Sequence, residues 1–263
     1  MPRRARAAGA PLARAPVMLP TLQVVVGTTR VVVSLHALAI VVGVAAGALL
    51  VARRMPGPAP GLATAALVAV AALVGAHRLF RALHGGPDGV WSSGLASMGG
   101  IGAGIAAACV ASWIVGRPAC EVLDAVAPGG LLALGIGRIG CFLAGCCYGR
   151  PTALPWGVVF PALGPPPRHP LQLYSAAGDL ALVLLLRRRL EAPGLVARRA
   201  CIGFGCLRGA LESLRDPGTT DVLPGGIVTF AQAAALVLVL VGLVGERVLR
   251  GREPSIMPPR RRS

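Results

Sequence analysis

Two arginines, Arg138 and Arg208, attract attention first because each stands inside an otherwise apolar stretch of the chain. An ionisable side chain in such a stretch is costly to bury and indicates a functional site. A guanidinium group binds phosphate through two parallel hydrogen bonds, so the predicted chemistry is phosphate recognition. Glu212 follows Arg208 by four residues and would orient it from the same helical face. The alternative is that these arginines only snorkel toward water or pair with a neighbouring acid, as Glu212 would allow for Arg208.

A second group of reactive side chains is formed by cysteines. Cys141, Cys146 and Cys147 lie close together in the sequence, and Cys201 and Cys206 follow later. A metal or redox site is conceivable, but no C-x-x-C pair is present and no His stands at short metal-ligand spacing. Buried small apolar residues are therefore the favoured interpretation, and a disulfide on an oxidising face is the next. The sequence predicts no metal and no cofactor.

The composition indicates where these residues must be held. Of 263 residues, 55% are hydrophobic and only 14% are charged, with a mean hydropathy of +0.72. These values exclude a disordered chain and argue against a soluble domain, in which about a quarter of residues are charged. The net charge is +16, and all 26 basic residues are Arg, which excludes chemistry that needs a Lys. Because the arginines punctuate apolar runs, we expect membrane lipids as partners and no nucleic acid.

The apolar runs predict an all-α, polytopic membrane protein with about seven transmembrane helices. A spanning helix needs about 20 mostly apolar residues. One transmembrane domain is predicted over residues 31–249, between a basic disordered tail at 1–30 and a basic, Pro-rich tail at 250–263. The fourth span is expected to break at Pro128-Gly129-Gly130. The predicted spans are approximately 31–52, 62–76, 91–115, 122–148, 171–186, 200–214 and 227–244.

Because alternate spans cross the membrane in opposite directions, the unusual residues are predicted to lie at one face of the membrane. The starts of spans three and five share a side with the ends of spans four and six. Those four places hold residues 97–100, 138–150, 168–174 and 208–215. Arginine-rich loops on the other side favour a cytoplasmic C-terminus and an extracytoplasmic site, although the N-terminal arginines count against this orientation. The glycine-rich stretches would admit a substrate or a packed helix, with packing at least as favoured for each glycine alone, and their glycines are Gly99, Gly100, Gly135, Gly137 and Gly145.

Residues 137–152 and 167–174 carry a family resemblance. They include Gly137-Arg138-Ile139-Gly140-Cys141, Tyr148-Gly149-Arg150-Pro151-Thr152, Pro167-Arg168-His169-Pro170 and Gln172-Leu173-Tyr174. This segment resembles the signature of the bacterial prolipoprotein diacylglyceryl transferase family, and a looser likeness extends over about residues 34–244.

The resemblance implies a seven-span enzyme of the bacterial inner membrane, with no cofactor. Such an enzyme transfers the diacylglyceryl group of phosphatidylglycerol to the lipobox Cys in the signal peptide of a prolipoprotein, and releases glycerol phosphate. The implied catalytic residues are Arg138, Arg208 and Glu212. The implied substrate contacts include Arg138, Gly137, Gly140, Arg150, Gly99, Gly100 and Tyr174.

The chain also departs from the family pattern. Met98 replaces a His, Phe204 a Tyr, and Ser175 an acid, while Cys141 and Cys146 replace an Asn and a Glu. These departures leave open a paralogue with another acceptor, or a lipid-binding protein without activity.

The base that deprotonates the acceptor thiol is also open. A thiol titrates within about two pH units of neutrality, so an arginine-rich field is one route to the thiolate. His169 is the other candidate base, with a structural role in a Pro-flanked turn as its alternative.

Overall fold

The computed structural model describes residues 21–26, 29–84, 96–187, 192–217, 221–223 and 226–250. Within these ranges the chain forms a two-stranded hairpin followed by seven helices. The hairpin consists of β1 (Thr21–Val26) and β2 (Thr29–Ser34). The helices are α1 (Leu35–Arg54), α2 (Pro58–His84), α3 (Ser97–Ile114), α4 (Ala119–Ala144), α5 (Leu171–Leu185), α6 (Leu195–Glu212) and α7 (Phe230–Arg250).

The helices confirm a polytopic membrane protein. Five of them, α1 to α4 and α7, are long and apolar enough to cross a bilayer, and α5 is a shorter apolar helix. Many large apolar side chains point outward, among them Leu49, Val70 and Leu185, as expected where the surroundings are lipid. Each of the seven predicted segments overlaps one of the seven helices, although most helices extend beyond the predicted bounds.

α4 lies at the centre and packs against α1, α3, α5 and α6. Close approach to α1 depends on glycine: a Cβ added at Gly47 would lie 2.5 Å from the carbonyl oxygen of Gly129. Lipid supplies no hydrophobic drive between helices, so contacts between small residues of this kind hold a membrane bundle together.

The predicted break in the fourth span is wrong. α4 runs without interruption through Pro128, which is buried against neighbouring helices. Membrane helices tolerate Pro where their neighbours and local adjustments satisfy the freed backbone groups. The helix instead ends at Gly145, whose φ of 72° is unfavourable for other residues and whose N–H bonds to the carbonyls of Cys141 and Phe142.

The hairpin occupies the end of the predicted disordered tail, residues 21–30, and the first residues of the predicted first span, 31–34. β1 and β2 are rich in Val and Thr, residues that favour strands. α1 therefore begins at Leu35 rather than near residue 31, and the Ser34 hydroxyl caps it by accepting from the N–H of Ala37 at 3.3 Å. Residues 1–20 and 251–263, most of the two predicted tails, lie outside the described residues.

The end of the bundle that carries the start of α4 is held by side chains bonded to main chain. The Asp124 carboxylate accepts hydrogen bonds from the N–H groups of Gly194 and Ala197, at 2.6 and 2.7 Å, and so caps the start of α6. The Arg54 guanidinium donates at 2.8 Å to the carbonyl oxygens of Leu186 and Arg187. These contacts fix the direction in which α6 enters the bundle.

Candidate active site

The opposite end of the bundle contains a small cavity beside three arginines. Its volume of about 10 Å³ is room for one water molecule. The last turns of α4 and α6, the first turn of α5 and the loop after α4 all contribute to its wall. The lining residues are Arg138, Cys147, Leu171, Gln172, Ser175, Arg208, Leu211 and Arg215.

A buried carboxylate connects two of these arginines. The Glu212 side chain is only 3% exposed, accepts a hydrogen bond from Arg208 and lies 3.7 Å from the Arg215 guanidinium. Arg208 is itself 11% exposed, and its Nε is buried without a hydrogen-bond partner among the described residues. Glu212 thus orients two cations and leaves a donor of Arg208 free for a ligand.

The third arginine comes from α4. Arg138 donates at 3.3 Å to the hydroxyl of Ser97 at the start of α3. Asp179 of α5, 2% exposed, lies in electrostatic range of both Arg138 and Arg208. Asp179 was not among the predicted site residues. It is nevertheless a charged residue inside an apolar span, the same feature that indicated Arg138.

Main-chain bonds fasten the loop after α4 to the ends of α5 and α6. The N–H of Gly149 donates to the carbonyl of His169 at 2.9 Å, and that of Arg150 to the carbonyl of Leu214 at 2.9 Å. A Cβ at Gly149 would lie 2.7 Å from the Cβ of His169 and 2.8 Å from the Leu214 carbonyl oxygen. Only glycine therefore allows this approach. The Arg150 side chain is exposed at the surface of the loop.

His169 is not among the cavity-lining residues. Its Nδ1 lies 3.4 Å from the Tyr174 hydroxyl, which also accepts a hydrogen bond from the Trp156 indole N–H at 2.8 Å. Burial, and secondarily the positive charge of Arg150, lower the pKa of His169 below its usual value. His169 in the loop and Tyr174 at the start of α5 thus bond to each other, and neither lines the cavity.

Three of the glycines predicted to contact substrate pack against neighbouring helices. A Cβ at Gly99 would fall against the carbonyl oxygen of Gly75 in α2, and one at Gly100 would lie 3.0 Å from that of Ala72. Gly140 abuts α1, where a Cβ would lie 2.6 Å from the Cβ of Ala39. Gly137 differs, because a Cβ there would meet nothing within 4 Å. Of these four glycines, only Gly137 faces open space.

The last turn of α4 and the loop after it bring three cysteines together. The Sγ atoms of Cys141, Cys146 and Cys147 all lie within 4.8 Å of one another. The left-handed turn at Gly145 reverses the chain, and the N–H of Cys146 returns to the carbonyl of Cys141 at 3.2 Å. Cys141 therefore lies close to Cys146 and Cys147, five and six positions later, which their spacing in the sequence does not predict.

Comparison with known proteins identifies the family. The sequence profile of prolipoprotein diacylglyceryl transferases matches residues 23–246, most of the chain. The chain belongs to the prolipoprotein diacylglyceryl transferase family. Curated relatives carry the name phosphatidylglycerol–prolipoprotein diacylglyceryl transferase. They include proteins from Shewanella sp. strain MR-4, 39% identical over 154 residues, and Cupriavidus pinatubonensis, 38% identical over 163 residues. These matches cover 57% and 59% of this chain and 58% of each relative.

Two departures from the family pattern have a common structural setting. Met98 and Phe204, at positions where a His and a Tyr were expected, both belong to an apolar cluster with Leu131. Apolar side chains at both positions are compatible with that cluster, whereas an imidazole and a phenol there would need hydrogen-bond partners. Among the described residues, none of this cluster lines the arginine cavity.

Proposed function

We propose that this chain transfers the diacylglyceryl group of phosphatidylglycerol to the lipobox cysteine of prolipoproteins. The observation that carries the proposal is the convergence of Arg138, Arg208 and Arg215 on one cavity, with Glu212 orienting two of them. Membership of the family supports the same reaction.

The arginines can stabilise the leaving group of this reaction. The acceptor sulfur attacks the glycerol carbon that carries the phosphate, a C–S bond forms, and the C–O bond to phosphate breaks with its electron pair on the departing glycerol phosphate. Preorganised cations stabilise the charge that develops on that phosphate. Arg138 and Arg208 would bind the phosphate oxygens, with Arg208 using its free Nε donor. Gly137, which faces open space, would leave room for the lipid headgroup.

Glu212 has a positioning role in this mechanism. It neutralises part of the charge of Arg208 and Arg215 and fixes their side chains before substrate arrives. The combined positive field favours the thiolate form of an acceptor thiol. His169 is bonded to Tyr174, so we assign it to the loop framework rather than to proton transfer.

We also propose the orientation in the membrane. The arginine-rich ends of α1 and α5 and the end of α7 would be cytoplasmic, which places the arginine cavity on the extracytoplasmic side of the bacterial inner membrane. Reporter fusions after Arg189 and Arg252 test this directly. Cytoplasmic reporter activity at both is expected, and an extracytoplasmic signal at either would overturn the orientation.

Complementation tests the function in cells. A strain depleted of its own transferase should grow, and should lipidate a reporter prolipoprotein, when this chain is expressed. The matched control is an Arg138→Lys variant, which should insert into the membrane but should not restore growth or lipidation. Failure of the inserted wild-type chain to restore lipidation would contradict the proposal.

A second candidate is a transferase that uses the same lipid and another acceptor. The apolar setting of Met98 and Phe204 favours it, because the groups lost from the family pattern are not those that bind phosphate. Consumption of phosphatidylglycerol by purified protein without labelling of any lipobox peptide would identify this case.

A further inference from the structure

The three cysteines beside the arginine cavity have the geometry of a metal site. Three sulfurs bound to one zinc ion at about 2.3 Å are about 3.8 Å apart in tetrahedral geometry. The Sγ atoms of Cys141, Cys146 and Cys147 already lie within 4.8 Å of one another. Side-chain rotations that move each sulfur by less than about 1 Å would therefore complete the three ligands.

The backbone is shaped to hold these sulfurs together. Gly145 ends α4 with a φ of 72°, and Cys147 also has a positive φ, 62°, which is uncommon for a residue with a side chain. Backbone strain of this kind tends to occur at ligand sites. Gln172 of α5 donates to the Cys146 carbonyl and so ties the turn to a second helix.

The charges around the cluster suit a thiolate complex. Arg138 lies in electrostatic range of all three cysteines, and Cys141 is in range of Arg215 as well. A zinc ion with three thiolates carries a net charge of −1, which a neighbouring guanidinium neutralises. Soft sulfur ligands without oxygen ligands select zinc or copper(I) over magnesium, calcium or manganese.

We propose that Cys141, Cys146 and Cys147 bind a zinc ion whose fourth position is open to the acceptor thiol. In the described part of the chain no His, Asp or Glu joins the three sulfurs, and zinc sites with three protein ligands keep the fourth position for water or substrate. Cys147 lines the arginine cavity, so a thiol held by the metal would lie next to the bound phosphate. The identity of that thiol rests on the proposed function, whereas the metal site does not.

The step balances without an oxidant or a reductant. The acceptor thiol replaces a zinc-bound hydroxide, which leaves as water with the thiol proton, since a coordinated thiol is deprotonated. The zinc-bound sulfur then forms the C–S bond as the C–O bond to phosphate breaks. The neutral thioether is a weaker ligand than a thiolate, so a water molecule displaces it, and transfer of one proton from that water to the departing glycerol phosphate restores the zinc-bound hydroxide.

Metal analysis of the full-length protein, purified under reducing, oxygen-free conditions and incubated with zinc, tests the site without any activity measurement. We expect about one zinc per chain in the wild type. The control variant Cys109→Ser/Cys201→Ser/Cys206→Ser should bind the same amount. We expect its loss in Cys141→Ser/Cys146→Ser/Cys147→Ser. Equal zinc in the two triple variants, or no stoichiometric zinc in the wild type, would overturn the site, as would an intramolecular disulfide in the cluster that persists under these conditions.

Cobalt(II) in place of zinc reports the fourth ligand. Addition of a lipobox peptide should change the visible absorption of the cobalt protein, and the same peptide with Cys→Ser should not. Identical spectra with both peptides would reject the acceptor role while leaving the metal site in place. A cysteine-dependent spectral change without any diacylglyceryl transfer would instead count against the proposed function.

Discussion

Replacing Glu212 by Gln tests whether the buried carboxylate holds the arginine cavity together. The change keeps the shape of the side chain and one acceptor oxygen but removes the negative charge that Arg208 and Arg215 share. These two arginine side chains are only 11% and 17% exposed. Removing one partner of a buried ion pair costs about 3–5 kcal/mol. For a chain of this size 1 kcal/mol corresponds to about 2–4 °C in Tm, so we expect Tm in detergent to fall by roughly 6–20 °C.

The chain contains a matched control for this experiment. Arg117 and Glu121 form a pair with the same four-residue spacing, at 2.8 Å, but both side chains are 41% exposed. An exposed pair of this kind contributes about 0.3–0.5 kcal/mol, so Glu121→Gln should lower Tm by no more than about 2 °C. A further Arg215→Gln change in the Glu212→Gln protein removes one uncompensated charge and should restore part of the loss. Equal Tm values for the two single variants would refute the view that Glu212 organises the site.

Three further substitutions test other parts of the structure. Gly99→Ala should destabilise the protein by about 1–3 kcal/mol in thermal unfolding because its Cβ would overlap α2, whereas Gly102→Ala, which meets open space, should be tolerated. Asp124→Ala removes the acceptor for two N–H groups at the start of α6 and should cost about 1–2 kcal/mol by the same measurement; an unchanged Tm would contradict the capping role. Arg150→Ala should raise the pKa of His169 toward its usual value, because a repelling positive charge is lost, and an NMR titration that shows no rise would contradict this.

The membrane fold could be predicted from the sequence because it depends on the length and apolarity of segments. All seven helices overlap predicted segments, although α2 extends well beyond its predicted bounds of 62–76. The errors concern local backbone chemistry. Pro128 lies within a continuous helix because neighbouring helices surround it, and no property of the segment alone reveals those neighbours. The end of α4 at Ala144 depends on the left-handed turn at Gly145, which span length does not encode.

The candidate site was predicted in part. Span parity predicted that the unusual residues would share one end of the bundle, and Arg138, Arg208 and Glu212 do so. The direction in which a glycine faces could not be predicted, because Gly99 and Gly140 contact helices that are distant in sequence. The cysteine cluster was missed for a related reason, since it depends on one turn rather than on a spacing rule.

The most direct test of the central claim is transfer of labelled diacylglycerol from phosphatidylglycerol to a lipobox peptide by the purified wild-type protein and its Arg138→Lys variant. Lysine cannot reproduce the two-pronged contact with phosphate. We expect transfer to fall by about two orders of magnitude or more, which corresponds to about 3 kcal/mol of barrier. Arg117→Ala, at the other end of α4, should retain wild-type activity. An Arg138→Lys protein as active as wild type would contradict the phosphate site, and a wild type that binds phosphatidylglycerol but labels no lipobox peptide would contradict the proposed reaction.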